Sequence, residues 1–509
     1  MQGLVKRHAL AIWLVPLSSK WPKWHAAYRG RRAGQGIAAR TSFIGTAAKS
    51  KEGGARGMKV LLSTARYWDV FLRSAVTIAI VAFFQICPQF VTSSHAQMTL
   101  WDQIQGSLSG GGQDSAPVRK KEPLDDLRPD ATPWRSDAML NAISAAIDRY
   151  QKIVDSGGWP LVPPGRMMRV GDDDPRVPIL RKRLRITGDM PANGSYYDAE
   201  TFDSELEEGV KRFQRRHGIR VTGRIEQSVY PVLNTTADER LAQLKLNLQR
   251  LQSLMHGIED RYVLVNIPAF QLEAVDKYEV QLRHRVIVGR PQRQTPEVRA
   301  MIKALNFFPY WRVPDSVATL DLVPRLKQEP GYLAEEGIRV YNGFNGPELD
   351  PKTIDWNAPQ VASYKFKQDP GEKNALGLLR IDMSNEFGVY MHDTPMKNLF
   401  DQQSRPFSAG CVRVQNVFDL GDWIAHNEPG WEQPGHVRET LAGGQPMELK
   451  LTHPIPVYFA YITAWAEPSN GRIEFRPDIY GRDGAALRTA YQRDNDDAPP
   501  ATAAAALAP

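Results

Sequence analysis

Two periods of hydrophobic recurrence follow one another along the chain. Between Pro133 and about Tyr150, Met139, Ile143, Ala146 and Ile147 fall at helical spacing and predict a helical segment within 133–168 that packs on a later domain. In YDAETFDSELEEGVKRFQRRHGIRVTGRI, residues Leu206, Val210, Phe213 and His217 step along one helical face. Val177, Leu180 and Leu184 mark a helix before it, and Gly188, Gly218 and Gly223 supply the stops and turn. Residues 172–234 therefore read as a small helical unit. Leu241, Leu244, Leu248, Leu251 and Met255 predict a connecting helix over 237–258, with Asp238 as its cap, docked on the next domain rather than paired in a coiled coil.

After Arg261 the period changes to two. YVLVNIP and FQLEAV precede YEVQLRHRVIVG, where Tyr278, Val280, Leu282, His284, Val286 and Val288 share one face. Further strands are expected at Leu378–Asp382, Gly388–Met391, Met447–Leu451 and Val457–Ala464. Such alternation belongs to half-buried antiparallel strands, so 261–467 reads as a mainly antiparallel β domain and the whole as α+β. Tyr341–Gly377, rich in Gly, Pro, Asn and Asp, reads as an insertion long enough to be functional. Residues 97–132 read as a linker, 468–492 as a C-terminal extension and 493–509 as a disordered tail.

Composition changes meaning once the N-terminus is considered. Met58 opens a stretch with Lys59, Arg66 and Arg73, then an uncharged apolar run from Ser74 to Phe84, then Ser94-His95-Ala96. That order reads as a signal peptide cleaved after Ala96 in preference to a retained anchor, so 1–96 is expected to be removed and the protein to be exported without a stable membrane span. Without the 14 Lys/Arg and 2 Asp/Glu of that leader, 50 basic and 55 acidic residues remain, and the excess of positive charge disappears. A nucleic-acid partner loses its support.

Of the two cysteines, Cys87 lies in the leader, which leaves Cys411 alone in FSAGCVRV. A lone thiol in an oxidising compartment is either buried and inert or kept for reactivity. A cysteine nucleophile needs a base, and seven histidines follow the leader. His217 and His284 occupy core-facing positions. His392 ends the apolar strand GVYM and opens HDTP, 19 residues before Cys411. Gly410 permits a backbone closed to other residues, and the amides of Gly410 and Cys411 are candidates for an oxyanion hole. No His, Cys or carboxylate set has ligand spacing, so neither metal nor cofactor is expected.

VYMHDTP followed by FSAGCVRV resembles the active-site signature of the L,D-transpeptidases with a YkuD-type catalytic domain. VGRPQRQTP, FFPYWRVP, GYLAEEGIRVY, KNALGLLRIDM and PVYFAYITAW extend the likeness to the large periplasmic branch of that family, over about 135–485. Through VKRFQRRHGI, its turn glycine and YPVLN, the 172–234 unit resembles a peptidoglycan-binding domain. Arg181, Lys182, Arg183 and Arg185 of its first helix either face an acidic polymer or form a solvated face. The resemblance implies Cys411 as nucleophile, His392 as general acid/base, Gly410 and the Cys411 amide as oxyanion hole, and Ser408 as the motif hydroxyl. Ala409 departs from the His of many members. Arg413 either holds a substrate carboxylate or pairs internally; Tyr390 and Trp311 are candidate cleft residues; a backbone carbonyl near Asp393 or Thr394, or a carboxylate, orients His392. The implied activity joins third-position residues of peptidoglycan stems through a cysteinyl thioester. The implied partners are peptide stems and glycan, with outer-membrane protein termini as further acceptors. A hydrolytic cysteine peptidase and a non-catalytic wall-binding scaffold are the alternatives.

Overall fold

Side-chain caps set the helices. Ser136 accepts a hydrogen bond from the Met139 amide and starts α1, Asp137–Asp155. α2, Val177–Ile186, and α3, Ser204–Arg216, enclose a small core of Val177, Leu180, Leu184, Leu206, Val210 and Phe213. α4, Ala237–Leu254, begins at Thr236, whose side chain accepts from the Glu239 amide while Glu239 answers to the Thr236 amide. The cap thus falls two residues earlier than the expected Asp238, on the residue with extended backbone. This computed structural model describes residue 124 and residues 126–484, except 193–198 and 258. The leader with its cleavage site, Cys87 and the tail from Arg493 lie outside the described residues. Those described belong to one of the chain's two units, 117–509.

The basic run of α2 does not form one solvated face. Arg181 is fully buried against Asp203 and the Thr201 carbonyl, and Arg183 is buried over the Trp159 ring, 3.8 Å from its centroid. Only Lys182 is exposed. Helical periodicity sends Arg181 and Arg183 to different sides, and both sides are covered, one by Asp203 and Thr201, the other by Trp159 and the Leu233 carbonyl.

The β domain starts with β1, Tyr262–Asn266, β2, Gln271–Asp276, and β3, Glu279–Gly289. β4, Val298–Phe307, follows. Then come short β5, Trp311–Arg312, β6, Ile338–Tyr341, β7, Glu348–Leu349, and β8, Lys365–Gln368. β9, Leu379–Ser384, β10, Met391–His392, β11, Pro406–Ser408, and β12, Val412–Val414, lead to helices α5, Val417–Ala425, and α6, His436–Ala442. β13, Met447–Ala460, β14, Ala464–Ala466, and β15, Ile473–Phe475, end the described chain. Nine strands form one sheet in the order β11-β3-β12-β10-β9-β4-β13-β1-β2, and β2 also pairs with β3, so the sheet closes on itself. Most pairs are antiparallel; β1–β13, β10–β12 and β11–β3 are parallel.

Three expectations change. The strands expected at 447–451 and from 457 are one strand, β13, with an irregularity between Lys450 and Ile455. Tyr278 is not on the inner face of β3: with Lys277 it has positive φ (65° and 53°) and forms an exposed hairpin turn. Residues 124–132 are no free linker, because they strap the β domain. There Arg128 is buried against Glu467, and Asp126 pairs with Arg285 and the fully buried Arg405.

The insertion is longer than 341–377 and has regular structure. Phe307 of β4 faces Leu379 of β9, and the Phe308 amide donates to the Leu378 carbonyl, so the chain leaves and returns at one point. Between them β5, β8, β6 and β7 form a second sheet around Trp311, Leu326, Val340, Phe366 and Leu376. Strands of two to four residues give too little alternation to be read as a pattern. α1 and α4 pack on β14 and β15 through Met139, Ile143, Tyr150, Leu244, Leu251, Trp465 and Phe475.

Removing the Asp126 carboxylate leaves the Arg405 guanidinium buried without its charge partner, so Asp126→Ala should lower stability by about 3 kcal/mol. Denaturant unfolding of the purified variant checks this, and a midpoint equal to that of the unmodified protein would contradict it.

Candidate active site

β10 is only two residues long, but its neighbours fix it on both sides. Met391 and His392 pair with Val412 and Arg413 of β12, and with Ile381 and Arg380 of β9. The Val412 amide donates to the Tyr390 carbonyl at 3.0 Å, which carries the register back to Cys411 beside Tyr390. Side chains alternate across a strand, so Tyr390, His392, Cys411 and Arg413 share one face, and Met391 and Val412 point into the core. His392 and Cys411 occupy diagonal positions on adjacent strands, a spacing on the order of 7 Å between Cβ atoms that two side chains can bridge.

The cysteine loop turns around the end of β3. Ser408 Oγ donates to the Cys411 carbonyl at 2.6 Å and accepts from the Gly410 amide at 3.1 Å. Ser408 is fully buried, and its hydroxyl braces the loop. The Gly410 amide, expected in the oxyanion hole, is occupied by that same hydroxyl. Gly410 has φ of 127°, a conformation side chains resist, and the space around it is otherwise ordinary. Its carbonyl accepts from Thr295 Oγ1 at 2.8 Å, and Thr295 Oγ1 in turn accepts from the Gly289 amide at 2.8 Å. The Thr295 amide donates to the Tyr480 hydroxyl oxygen, which donates to the Gly289 carbonyl at 2.6 Å. Sequence reasoning missed Thr295 and Tyr480. Thr295 stands inside the quoted VGRPQRQTP, but Tyr480 is 185 residues from its partner and gives no local signal.

His392 Nδ1 donates to the backbone carbonyl of Asp393, the carbonyl alternative of the two open for its orientation. This contact selects the tautomer with Nε2 as the basic nitrogen. Asp393 also anchors the insertion. Its carboxylate accepts from Lys397 Nζ and from the Leu378 amide at 3.1 Å, and it packs where a Cβ on Gly377 would lie, 2.4 Å from Oδ2.

The thiol is not in an open cleft. Cys411 is 8 % exposed, and the core of the insertion packs against Tyr390 and Ala409. Burial pushes the Cys411 thiol up to about 11, against the opposing pull of hydrogen bonding to Tyr390 and of the Arg413 and Arg380 charges. The thiol is therefore neutral at rest. Burial likewise brings Arg413 down to about 10, with the thiol pulling it up and Arg290 down, so its guanidinium stays charged at neutral pH. Burial and the nearby thiol hold the Tyr390 phenol well above its usual range. Its ring centroid lies 5.7 Å from that of His392. Trp311 is buried in the insertion, beside a small cavity of about 100 Å3 that Pro395 and Met396 also line.

Residues 260–434 match the L,D-transpeptidase catalytic domain of the YkuD family. Residues 173–233 match a "Putative peptidoglycan binding domain". A "Putative L,D-transpeptidase" of Haemophilus influenzae is 33% identical over 259 residues, which cover 50% of this chain and 51% of that protein. The chain thus spans about half the length of that curated relative. Among solved structures, an L,D-transpeptidase of Stackebrandtia nassauensis is 12% identical, over 59% of this chain and 96% of the other, with a TM-score of 0.21. A mutant L,D-transpeptidase of Enterococcus faecium is 13% identical, over 40% and 50%, with a TM-score of 0.17. Neither overlay constrains the fold at such scores. The region that matches the catalytic domain stands beside a helical region that matches the peptidoglycan-binding domain, an α+β whole. Among the described residues no helix is long and apolar enough to cross a membrane.

At pH 7 a thiol with pKa about 11 is only about one part in ten thousand thiolate. Alkylation of the resting protein by iodoacetamide should therefore keep rising about tenfold per pH unit toward 11, instead of levelling near 8.5. The sign follows from burial: the folded state favours the protonated thiol, a contribution present at neutral pH and lost as pH rises through about 11. A plateau near pH 8.5 in the measured rate would refute the buried, neutral thiol.

Proposed function

We propose that this protein is a periplasmic L,D-transpeptidase that cross-links third-position residues of peptidoglycan stems through a thioester on Cys411. The supporting observation is the β9-β10-β12 register, with His392 and Cys411 on one face of adjacent strands. His392 Nε2 takes the thiol proton as Sγ attacks the carbonyl carbon of the donor's third residue. The S–C bond forms, the C–N bond to the terminal D-amino acid breaks, and His392 passes the proton to that leaving amine. The side-chain amine of a second stem then attacks the thioester, gives its proton to His392, and the thiol is restored.

With the Gly410 amide engaged by Ser408, the donors for the oxyanion are the Cys411 amide and the Tyr390 hydroxyl, which already lies at the sulfur. One such donor is typically worth about 3 kcal/mol of barrier. Arg413, buried and charged next to the thiol, holds a stem carboxylate. The helical domain keeps the enzyme on the wall, and outer-membrane protein termini are further acceptors of the same acyl group.

Water is the competing acceptor, and each tenfold preference against it requires about 1.4 kcal/mol. The insertion between β4 and β9, rooted beside His392 and packed on Tyr390 and Ala409, is the lid that excludes it.

Cys411→Ala and His392→Ala should each reduce formation of cross-linked dimers from tetrapeptide stems by at least a thousandfold, read by mass spectrometry of the products. Full activity in either variant would overturn the dyad, and release of the D-amino acid with no dimer would make the protein a hydrolase. Because Phe307 and Leu379 are paired, residues 309–377 can be replaced by a two-residue hairpin turn. The shortened, folded protein should shift at least tenfold toward hydrolysis; an unchanged product ratio would remove the lid from the account.

A further inference from the structure

The sheet face that carries the thiol continues beyond it. Continuing the antiparallel β9–β10 ladder by one position sets Tyr390 opposite Asp382, and Asp382 pairs with Ala304, which pairs with Lys450. Cys411, Tyr390, Asp382, Ala304 and Lys450 therefore form one row across five strands. At its far end an open groove of about 530 Å3 is lined by Lys303, Asp382, Ser384, Glu448, Lys450 and Pro454. The groove has a local cause. The β4–β9 ladder shifts register between Ile302 and Ala304, and the β4–β13 ladder is interrupted between Lys450 and Ile455. The two irregularities lie side by side and bend the strands away from the row, as bulges beside active sites do.

Charge in the groove is unevenly matched. Asp382 is satisfied: Arg380 Nε lies 2.8 Å from its Oδ1, and Asn306 Nδ2 donates to its Oδ2 at 2.9 Å. The Arg380 guanidinium, held there, lies over the Tyr390 ring at 5.5 Å. Lys303 has no ion pair among the described residues. Lys450 has only Glu448 at 3.9 Å, and its side chain is 81% exposed. Two ammonium groups are thus available at the end of a row that starts at the thiol.

We propose that this groove is a subsite for a carboxylate-bearing peptide stem, laid across the strands from Cys411, with its carboxylates on Lys303 and Lys450. The inference rests on the transpeptidase function proposed above and adds to it where the stem lies. Strands about 4.8 Å apart put Ala304 roughly 14 Å from Cys411 along the row, a span that three residues of an extended chain, about 10 Å, and a carboxylate-bearing side chain at its end cover. Tyr390, backed by Arg380, stands between thiol and groove and sets the entry.

Binding of a synthetic tetrapeptide stem to full-length Cys411→Ala protein, measured by calorimetry, tests the subsite without turnover. Adding Lys303→Glu and Lys450→Glu should weaken Kd at least tenfold, and Lys303→Arg with Lys450→Arg should preserve it. A stem with amidated carboxylates should bind weakly to all three proteins. Equal Kd for the Glu and Arg variants, or no stem binding to the Cys411→Ala parent, would overturn the groove. Product analysis of the unmodified enzyme answers separately for the transfer reaction: stems that bind in the groove but are never joined would sink that reaction and leave the subsite standing.

Discussion

Two residues of ladder on each side of β10 hold the candidate chemistry together. Met391 and His392 are clamped between β9 and β12, and the alternation of strands then leaves no choice about which side chains share a face. A slip of one residue would turn His392 into the core and put Met391 beside the thiol. The pattern around them resists such a slip, because Ile381, Met391 and Val412 belong to the apolar core, while His392 and Arg413, though buried, are polar and lie on the opposite face of the sheet. The hydrophobic core therefore specifies the site by keeping its polar members on the other face.

That placement has an electrostatic consequence. The thiol lies among polar groups yet is nearly closed to solvent, and desolvation outweighs two guanidinium charges and a phenol. Reactivity is consequently not stored as a thiolate in the resting protein. Under the mechanism proposed above it arises when substrate enters, as the base oriented by the Asp393 carbonyl removes the proton in the step that forms the S–C bond. Burial of this kind also shields Cys411 from oxidation, since oxidation follows thiolate character and exposure. Asp393 joins the two requirements, because one residue orients His392 through its carbonyl and ties the root of the insertion through its carboxylate.

What could be read from the sequence was what is local. The α4 pattern, the β1–β3 alternation and the pair His392 and Cys411 were legible because each signal fits within one element or one short motif. The errors share a cause. Arg181 and Arg183 look solvated until α3 and Trp159 cover them, and the insertion looks irregular because its strands are too short to show a period. Residues 124–132 look like a linker because their partners, Glu467 and Arg405, are hundreds of residues away. Ser408 was visible in the motif, but its role depends on where its hydroxyl turns, which composition does not encode.

The loop around Cys411 shows how far the site extends beyond its motif. Gly410 takes a backbone conformation that costs nothing for glycine but does not persist by itself, so something must hold it. Thr295 does so from one side through the Gly410 carbonyl, and Tyr480 holds Thr295. The Tyr480 amide in turn donates to the Tyr461 hydroxyl, which donates to Asp478 at 2.6 Å. These last three residues lie after the matched region 260–434 ends. The catalytic loop therefore depends on chain that follows the transpeptidase domain as matched, and a version trimmed to 434 would lose the brace while keeping every residue of the motif. Motif and scaffold are separable in sequence but not in mechanics, because a loop that positions a sulfur must be held by partners the loop itself cannot supply.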